Sequence, residues 1–203
     1  HILLKELCKI EDIEWIRVLY CYPEEIYDEL IHTIASEEKI CNYLDIPIQH
    51  ASDNVLKRMG RRTTNQELRD VIAKLRKEIP DIVLRTTLIT GFPGETQKDH
   101  EILMNFVDEM EFERLGVFTY SKEEGTPAAK LKEQVHPMTK KARYNKIMEE
   151  QQKITSEKMK TKIGQEYEVL IENISFDGKY IIGRTMQDVP DIDGLVYIKN
   201  EDN

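Results

Sequence analysis

Up to residue 137 the chain alternates short apolar, β-branched runs with longer amphipathic ones. WIRVLYCY (15–22), YLDIPI (43–48), IVLRTTLIT (82–90) and RLGVFTY (114–120) have the make-up of strands. Between the first two lies PEEIYDELIHTIA, opened by Pro23 and acidic in its first turn. DNVLKRM follows the second, with Ser52 as cap and Gly60 as stop. Thr64 and Glu67 form a capping-box pattern for NQELRDVIAKLRKEI, which stops at Pro80, and KDHEILMNFVDEM precedes the last strand. Parallel strands need a crossover of a dozen residues or more, and helices of this length supply it. The fold class is therefore α/β, either a barrel or an open doubly wound sheet with helices outside. In both, working residues gather at the carboxyl ends of the strands.

Those ends are decorated: Tyr22-Pro23, Gln49-His50, Gly91-Phe92-Pro93-Gly94-Glu95 and Tyr120-Ser121. GFPGET has two readings. It is a turn from strand to helix, or a loop whose glycines let backbone approach a small ligand. It lacks the Lys-Ser/Thr pair of a phosphate loop and the three spaced glycines of a dinucleotide site. Within YLDIPI the two-residue period sets Tyr43, Asp45 and Pro47 on one face and Leu44, Ile46 and Ile48 on the other. In a closed barrel Asp45 then points inward, where a carboxylate must be paired or functional. Arg85 is the opposite charge, as a structural partner or as a grip for a ligand carboxylate. His50 alone is either a satisfied core histidine or a site residue. KRMGRR (57–62), with Arg61 and Arg62, sits just past the Gln49–Ser52 strand end and is either a solvated cluster or a steering patch for an anion.

After residue 137 the pattern changes. Residues 138–163 read as one polar connecting helix with eight basic and three acidic residues, chiefly a solvated face. From 164 to 203 the chain reads as antiparallel strands, EYEVLIENI, KYIIGRT and GLVYIKN, with a hairpin turn at Asp177-Gly178. That tail is too short for a closed five-stranded barrel, and the chain opens on His1, so both ends read as cut. The organisation expected is 1–137, 138–163 and 164–203. No run approaches the roughly 20 apolar residues of a membrane span. Cys8, Cys21 and Cys41 are odd in number and lack metal-ligand spacing, which reads as reduced, cytoplasmic and structural.

YLDIPIQHAS, LRTTLITGFPGET, GVFTYSKEEGTPAA and GRTMQDVPDIDGLVYI together resemble the radical S-adenosylmethionine methylthiotransferases, over residues 10–198. The likeness is greatest to the branch that methylthiolates the β-carbon of an aspartate in small-subunit ribosomal protein S twelve. The tRNA-modifying branch typically carries a Gln-Ser-Gly-Ser type sequence where this chain has Gln49-His50-Ala51-Ser52. The resemblance implies the last four strands of a six-stranded open (β/α) barrel, followed by a small antiparallel TRAM domain, here incomplete. It implies S-adenosylmethionine and two [4Fe–4S] clusters as cofactors. The CxxxCxxC motif for one cluster is absent from this sequence, so no metal ligand is assigned to it and the chain alone is expected to lack turnover. Carried over, Gln49, Arg85, Gly91, Phe92, Pro93, Gly94, Glu95, Tyr120 and Ser121 line the adenosylmethionine site. His50, Arg61, Arg62, Asp188, Asp191 and Asp193 are the expected substrate-docking residues, with DVPDID as the docking edge.

Charge selects between branches. Residues 164–203 hold nine acids against three bases, a poor surface for a phosphate backbone and a good one for a basic protein. The partner expected is therefore ribosomal protein S twelve. A tRNA methylthiotransferase is the alternative within the family, and a non-catalytic α/β binding module the alternative outside it. The electron donor stays open.

Overall fold

A computed structural model describes residues 1–200. After α1 (Ile2–Cys8), the chain runs β1 (Ile16–Val18), α2 (Asp28–Ser36), β2 (Ile40–Asp45), α3 (Asp53–Arg58), α4 (Asn65–Glu78), β3 (Val83–Thr90), α5 (Gln97–Met110) and β4 (Arg114–Thr119). α6 (Pro137–Thr161) leads to β5 (Leu170–Ile174), β6 (Tyr180–Arg184) and β7 (Val196–Lys199). The first four strands form one parallel sheet in the order β1-β2-β3-β4, with Asp45 in register with Arg85 and Arg85 with Arg114. Strands placed side by side in chain order, each crossover right-handed, put every helix on one face and leave the other concave, as in a barrel wall.

The helix face supplies the main core. Leu68, Ile72 and Leu75 of α4, and Leu103, Phe106 and Val107 of α5, recur at helical spacing and meet Leu44, Ile46, Ile48, Leu84 and Leu88 of the sheet. Each such side chain, fully buried, contributes about 1.5–3 kcal/mol. The capping box at α4 is made as its sequence predicts: Thr64 Oγ1 accepts from the Glu67 N–H at 3.3 Å, and Glu67 accepts from the Thr64 N–H at 2.7 Å. Thr96 and Asp99 build a second box at α5.

Three local expectations shift. The strand read at 15–22 is paired only over Ile16–Val18, because Tyr20 takes a left-handed φ of 60° and Pro23 opens a single 3-10 turn. Ser52 precedes α3 but does not cap it; its hydroxyl donates to Asp99 Oδ1 at 2.5 Å instead. The helix read as a solvated connector is half inside. Arg143, Ile147, Gln151 and Ile154 of α6 form a buried stripe, and the helix packs on α5 and β4. Two polar residues in that stripe hide its period from a hydropathy reading.

The tail forms a separate antiparallel sheet, β5-β6-β7, with the 177–178 turn where the sequence places it. Every residue of β5 is exposed, as are Phe176 just past it and Tyr197 on β7. The stretch from Thr185 to Asp193 leaves this sheet and packs on the concave face of the parallel one. There Val189 joins Cys41, Tyr43 and Val83 in a second apolar cluster, flanked by Trp15 and Met186.

Candidate functional site

The concave face holds a cavity of 510 Å³ at the carboxyl ends of the strands. Each strand contributes. Leu19, Tyr20, Cys21 and Tyr22 follow β1; Asp45, Pro47 and Gln49 end β2; Arg85 and Thr87 lie on β3; Gly116 and Phe118 lie on β4. Arg61 reaches in from beyond α3, donating to the Pro47 carbonyl and lying 5.0 Å over the Tyr22 ring. Val189 and Ile192 of the C-terminal stretch complete the wall. The inward face of YLDIPI is the one its period predicts, with Asp45 and Pro47 in the cavity and Leu44, Ile46 and Ile48 in the helix core.

Two features mark this cavity as a built site. Tyr20 and Gln49, neither of them glycine, hold φ at 60° and 70°, both at strand ends and both on the wall. Left-handed backbone costs such residues about 1–3 kcal/mol and collects at functional sites. Gln49 is locked there by its N–H to the Thr87 carbonyl at 2.9 Å and by the Ile89 N–H to its own carbonyl at 2.8 Å. The second feature is Asp45: the residue is 4% exposed and its Oδ1 has no hydrogen-bond partner among the described residues. Burial raises its pKa, opposed chiefly by Arg85. Cys21 beside it is pushed up by burial and then by Asp45, so it faces the cavity as a thiol.

Arg85 does not close on Asp45. Its guanidinium donates to Asp193 Oδ1 at 2.6 Å, and the other oxygen of Asp193 accepts from the Tyr43 hydroxyl at 2.9 Å. Asp188 accepts from Arg114 at 2.7 Å. Two of the three acids expected to form a docking edge are thus turned inward and paired, because arginines on the sheet face supply the charge they need. Asp191 is the exposed one, at φ 62°.

The glycine loop lies outside the cavity wall. Gly91 and Gly94 have φ of 74° and 85°, which accounts for both glycines by conformation. The space above their α-carbons is taken by the Lys140 and Arg58 side chains, not by an open ligand cradle. Glu95 folds back into the loop, its carboxylate accepting from the N–H groups of Gly91 and Phe92 and pairing with Arg143 at 2.9 Å. Phe92 packs edge-on to Tyr120 at 5.1 Å, and Lys140 lies 4.7 Å over the Tyr120 ring. Pro93 is buried in the same loop, and Ser121 is exposed, donating to Glu123 at 2.7 Å.

His50, expected at the docking rim, lies in the interior. It is wholly buried, its Nδ1 accepts from the Ser52 N–H at 2.9 Å, and Glu95 lies 3.9 Å from its Nε2. Burial holds its pKa down to about 3, so the ring is neutral. Arg62 is exposed, while Arg61 is on the wall. Alternation from Arg85 points to Thr87, and from Gly116 to Phe118. No sequence signal marks Val189 and Ile192, which arrive from the far end of the chain.

The Radical SAM superfamily model matches residues 1–107, more than half of the chain. The chain belongs to the radical SAM superfamily. A TRAM domain model matches residues 163–203. Among curated relatives, the ribosomal protein uS12 methylthiotransferase RimO of Alkaliphilus oremlandii is 60% identical over 198 residues, covering 98% of this chain and 45% of that protein. The protein of the same name from Geobacter sulfurreducens is 50% identical over 197 residues, with 97% and 44% covered. The chain spans less than half the length of these relatives. Coproporphyrinogen III oxidase (HemN) from Escherichia coli superposes with a TM-score of 0.54 at 20% identity, over 70% of this chain and 32% of that one, a likeness of fold.

Radical SAM proteins use S-adenosylmethionine and a [4Fe–4S] cluster. The cavity fits the first. Its volume is in the range of small-molecule sites, and it sets the Asp45 carboxylate with its one free oxygen, Gln49 and two arginines among apolar and aromatic walls. The described residues do not fit the second: no group of three or more His, Cys, Asp or Glu stands close enough to hold a metal ion. No helix among the described residues is long and apolar enough to cross a membrane.

Proposed function

We propose that this chain forms the adenosylmethionine-facing wall and the substrate-docking tail of a methylthiotransferase that modifies an aspartate of ribosomal protein uS12. The reading rests on one observation: the strand-end cavity lies in a chain 60% identical, across 98% of its length, to a protein of that name. Gln49, at the strained end of β2, and Arg85 are the residues that would hold the methionine end, Arg85 by a charge-assisted pair with its carboxylate. Adenosylmethionine, when bound, supplies the radical chemistry of the superfamily. The protein's part is to orient it, to keep the Tyr20 and Phe118 side of the cavity apolar, and to exclude water.

The tail supports a basic protein as partner. Glu166, Glu168, Glu172, Asp177 and Asp191 are exposed, next to the apolar Ile171, Ile174 and Phe176. A surface of carboxylates and apolar side chains suits a cationic polypeptide and repels a phosphate backbone. The whole protein, loaded with its clusters in a cytoplasmic extract, is expected to add a methylthio group to uS12 and to leave tRNA unchanged, read by mass spectrometry. Modification of tRNA with none of uS12 would reverse the choice. The chain by itself is expected to show no cleavage of adenosylmethionine.

A further inference from the structure

Each strand of the parallel sheet sends one polar side chain to the same short stretch of the C-terminal domain. Arg17, on β1, donates to the Met186 carbonyl at 2.8 Å. Tyr43 of β2 and Arg85 of β3 donate to the two oxygens of Asp193, at 2.9 and 2.6 Å. Arg114 of β4 donates to Asp188 at 2.7 Å and lies 3.6 Å from Asp193. The Asp193 carboxylate also accepts from the Val189 N–H at 3.0 Å, and its side chain is 2% exposed. These contacts seat the stretch whose Val189 and Ile192 complete the cavity wall, so part of that wall is made by the other domain.

Arg85 stands between two carboxylates. Asp45 is its register partner on β2, with one oxygen unpartnered. Asp193 is the one that holds it. Without the Asp193 charge, the guanidinium would turn to Asp45, its register partner with one oxygen free of hydrogen bonds, and both groups would be withdrawn from the cavity wall. We propose that Asp193 is the positioning residue for Arg85, and that residues 186–193 thereby couple occupancy of the cavity to seating of the C-terminal domain. By linkage the coupling is reciprocal: a ligand that uses Arg85 tightens the seating by the factor with which the seated domain tightens the ligand. The inference rests on the reading of this cavity as the adenosylmethionine site.

The test uses the full-length protein, titrated calorimetrically with S-adenosylmethionine, and hydrogen exchange of residues 186–193 with and without it. Asp193→Asn is expected to weaken binding about tenfold or more, the worth of an oriented charge-assisted contact, and Asp193→Glu to recover most of that. Glu157→Gln, which breaks the exposed Glu157–Lys160 pair on α6, is expected to stay within about twofold. Exchange at 186–193 should slow on ligand binding in the wild type and not in Asp193→Asn. If Asp193→Asn does not fold, Tyr43→Phe, which frees the other oxygen of the same carboxylate, replaces it with an expected loss of about three- to tenfold. Unchanged or tighter binding in these variants, or exchange at 186–193 indifferent to the ligand, overturns the proposal while the cofactor reading stands. Failure of the wild type to bind sinks that reading and the proposal with it.

Discussion

Arg143 is the residue of α6 whose loss should be felt most, and the structure gives the size and the sign of the effect. It is 7% exposed and donates to Glu95 Oε1 at 2.9 Å and to the Glu95 carbonyl at 3.1 Å. Arg143→Met keeps much of the stem and removes the charge, leaving a buried carboxylate with the amide donors of Gly91 and Phe92 and a long bond from the Thr90 hydroxyl. Removing one partner of a buried pair costs about 3–5 kcal/mol, and the amides that remain put the expectation near the low end, about 3 kcal/mol. For a chain of this size that lowers Tm by about 6–12 °C. Burial already raises the Glu95 pKa against the pull of Arg143, so the substitution raises it further. A carboxyl raised in the folded state keeps a proton that the unfolded chain has released. The native state therefore loses stability as pH rises from the unfolded value of 4.5 through the folded one. The deficit of Arg143→Met should be smaller near about pH 5 than near about pH 8. Urea unfolding followed through the one tryptophan, Trp15, and by far-UV circular dichroism measures it. Glu95→Gln combined with Arg143→Met should restore more than half of the loss, since no charge is left behind. A cost under about 1 kcal/mol at neutral pH, or one independent of pH, would refute the buried-pair account.

Two further predictions concern the same region. Gly94→Ala should cost about 1–2 kcal/mol for left-handed backbone, with the flexible end of Arg58 moving aside, and Gly91→Ala should cost more, because its new Cβ meets the Lys140 stem at Cγ and Cβ; parallel urea titrations would show the order. His100 is buried, and that burial, aided by Arg143, holds its pKa down to about 4 against 6.5 unfolded. Its contribution to stability is complete above 6.5 and is lost as pH falls towards 4, at up to about 1.4 kcal/mol per pH unit. His100→Gln should flatten the acid limb of a stability–pH curve, and an unchanged slope would show that the histidine does not govern it.

Much of the scaffold was legible because its signals are local. The capping box at Thr64 and Glu67, the turn at Asp177-Gly178 and the two-residue period of YLDIPI each need fewer than ten residues of context, and each appears in the structure. The helical crossovers forced a parallel sheet before any pairing was known. What stayed hidden depends on distant partners. His50 resembles a rim residue until Ser52, Glu95 and the packed interior surround it. Asp188 and Asp193 resemble a solvated acidic edge until Arg114 and Arg85 claim them from 74 and 108 residues away. The first strand reads too long because nothing in LYCYP announces that Tyr20 adopts a glycine-like φ.

The grip on residues 186–193 also sets an order of events during synthesis. Tyr43 and Asp193 are 150 residues apart, and Arg17 and Met186 are 169 apart. As the chain leaves the ribosome from its N-terminal end, all four strands can pair, and the helices can cover them, long before those C-terminal residues exist. Closing loops of that length is slow relative to the local pairing that precedes it, although the added entropy grows only with the logarithm of loop length. A nascent chain therefore passes through a stage with a formed sheet, Arg17 and Arg114 without their C-terminal acceptors, Arg85 facing Asp45 alone, and the cavity wall of Val189 and Ile192 still missing. In that interval the nascent protein is a trough in which three strand arginines face one strand carboxylate, an imbalance that Asp188 and Asp193 redress when they arrive.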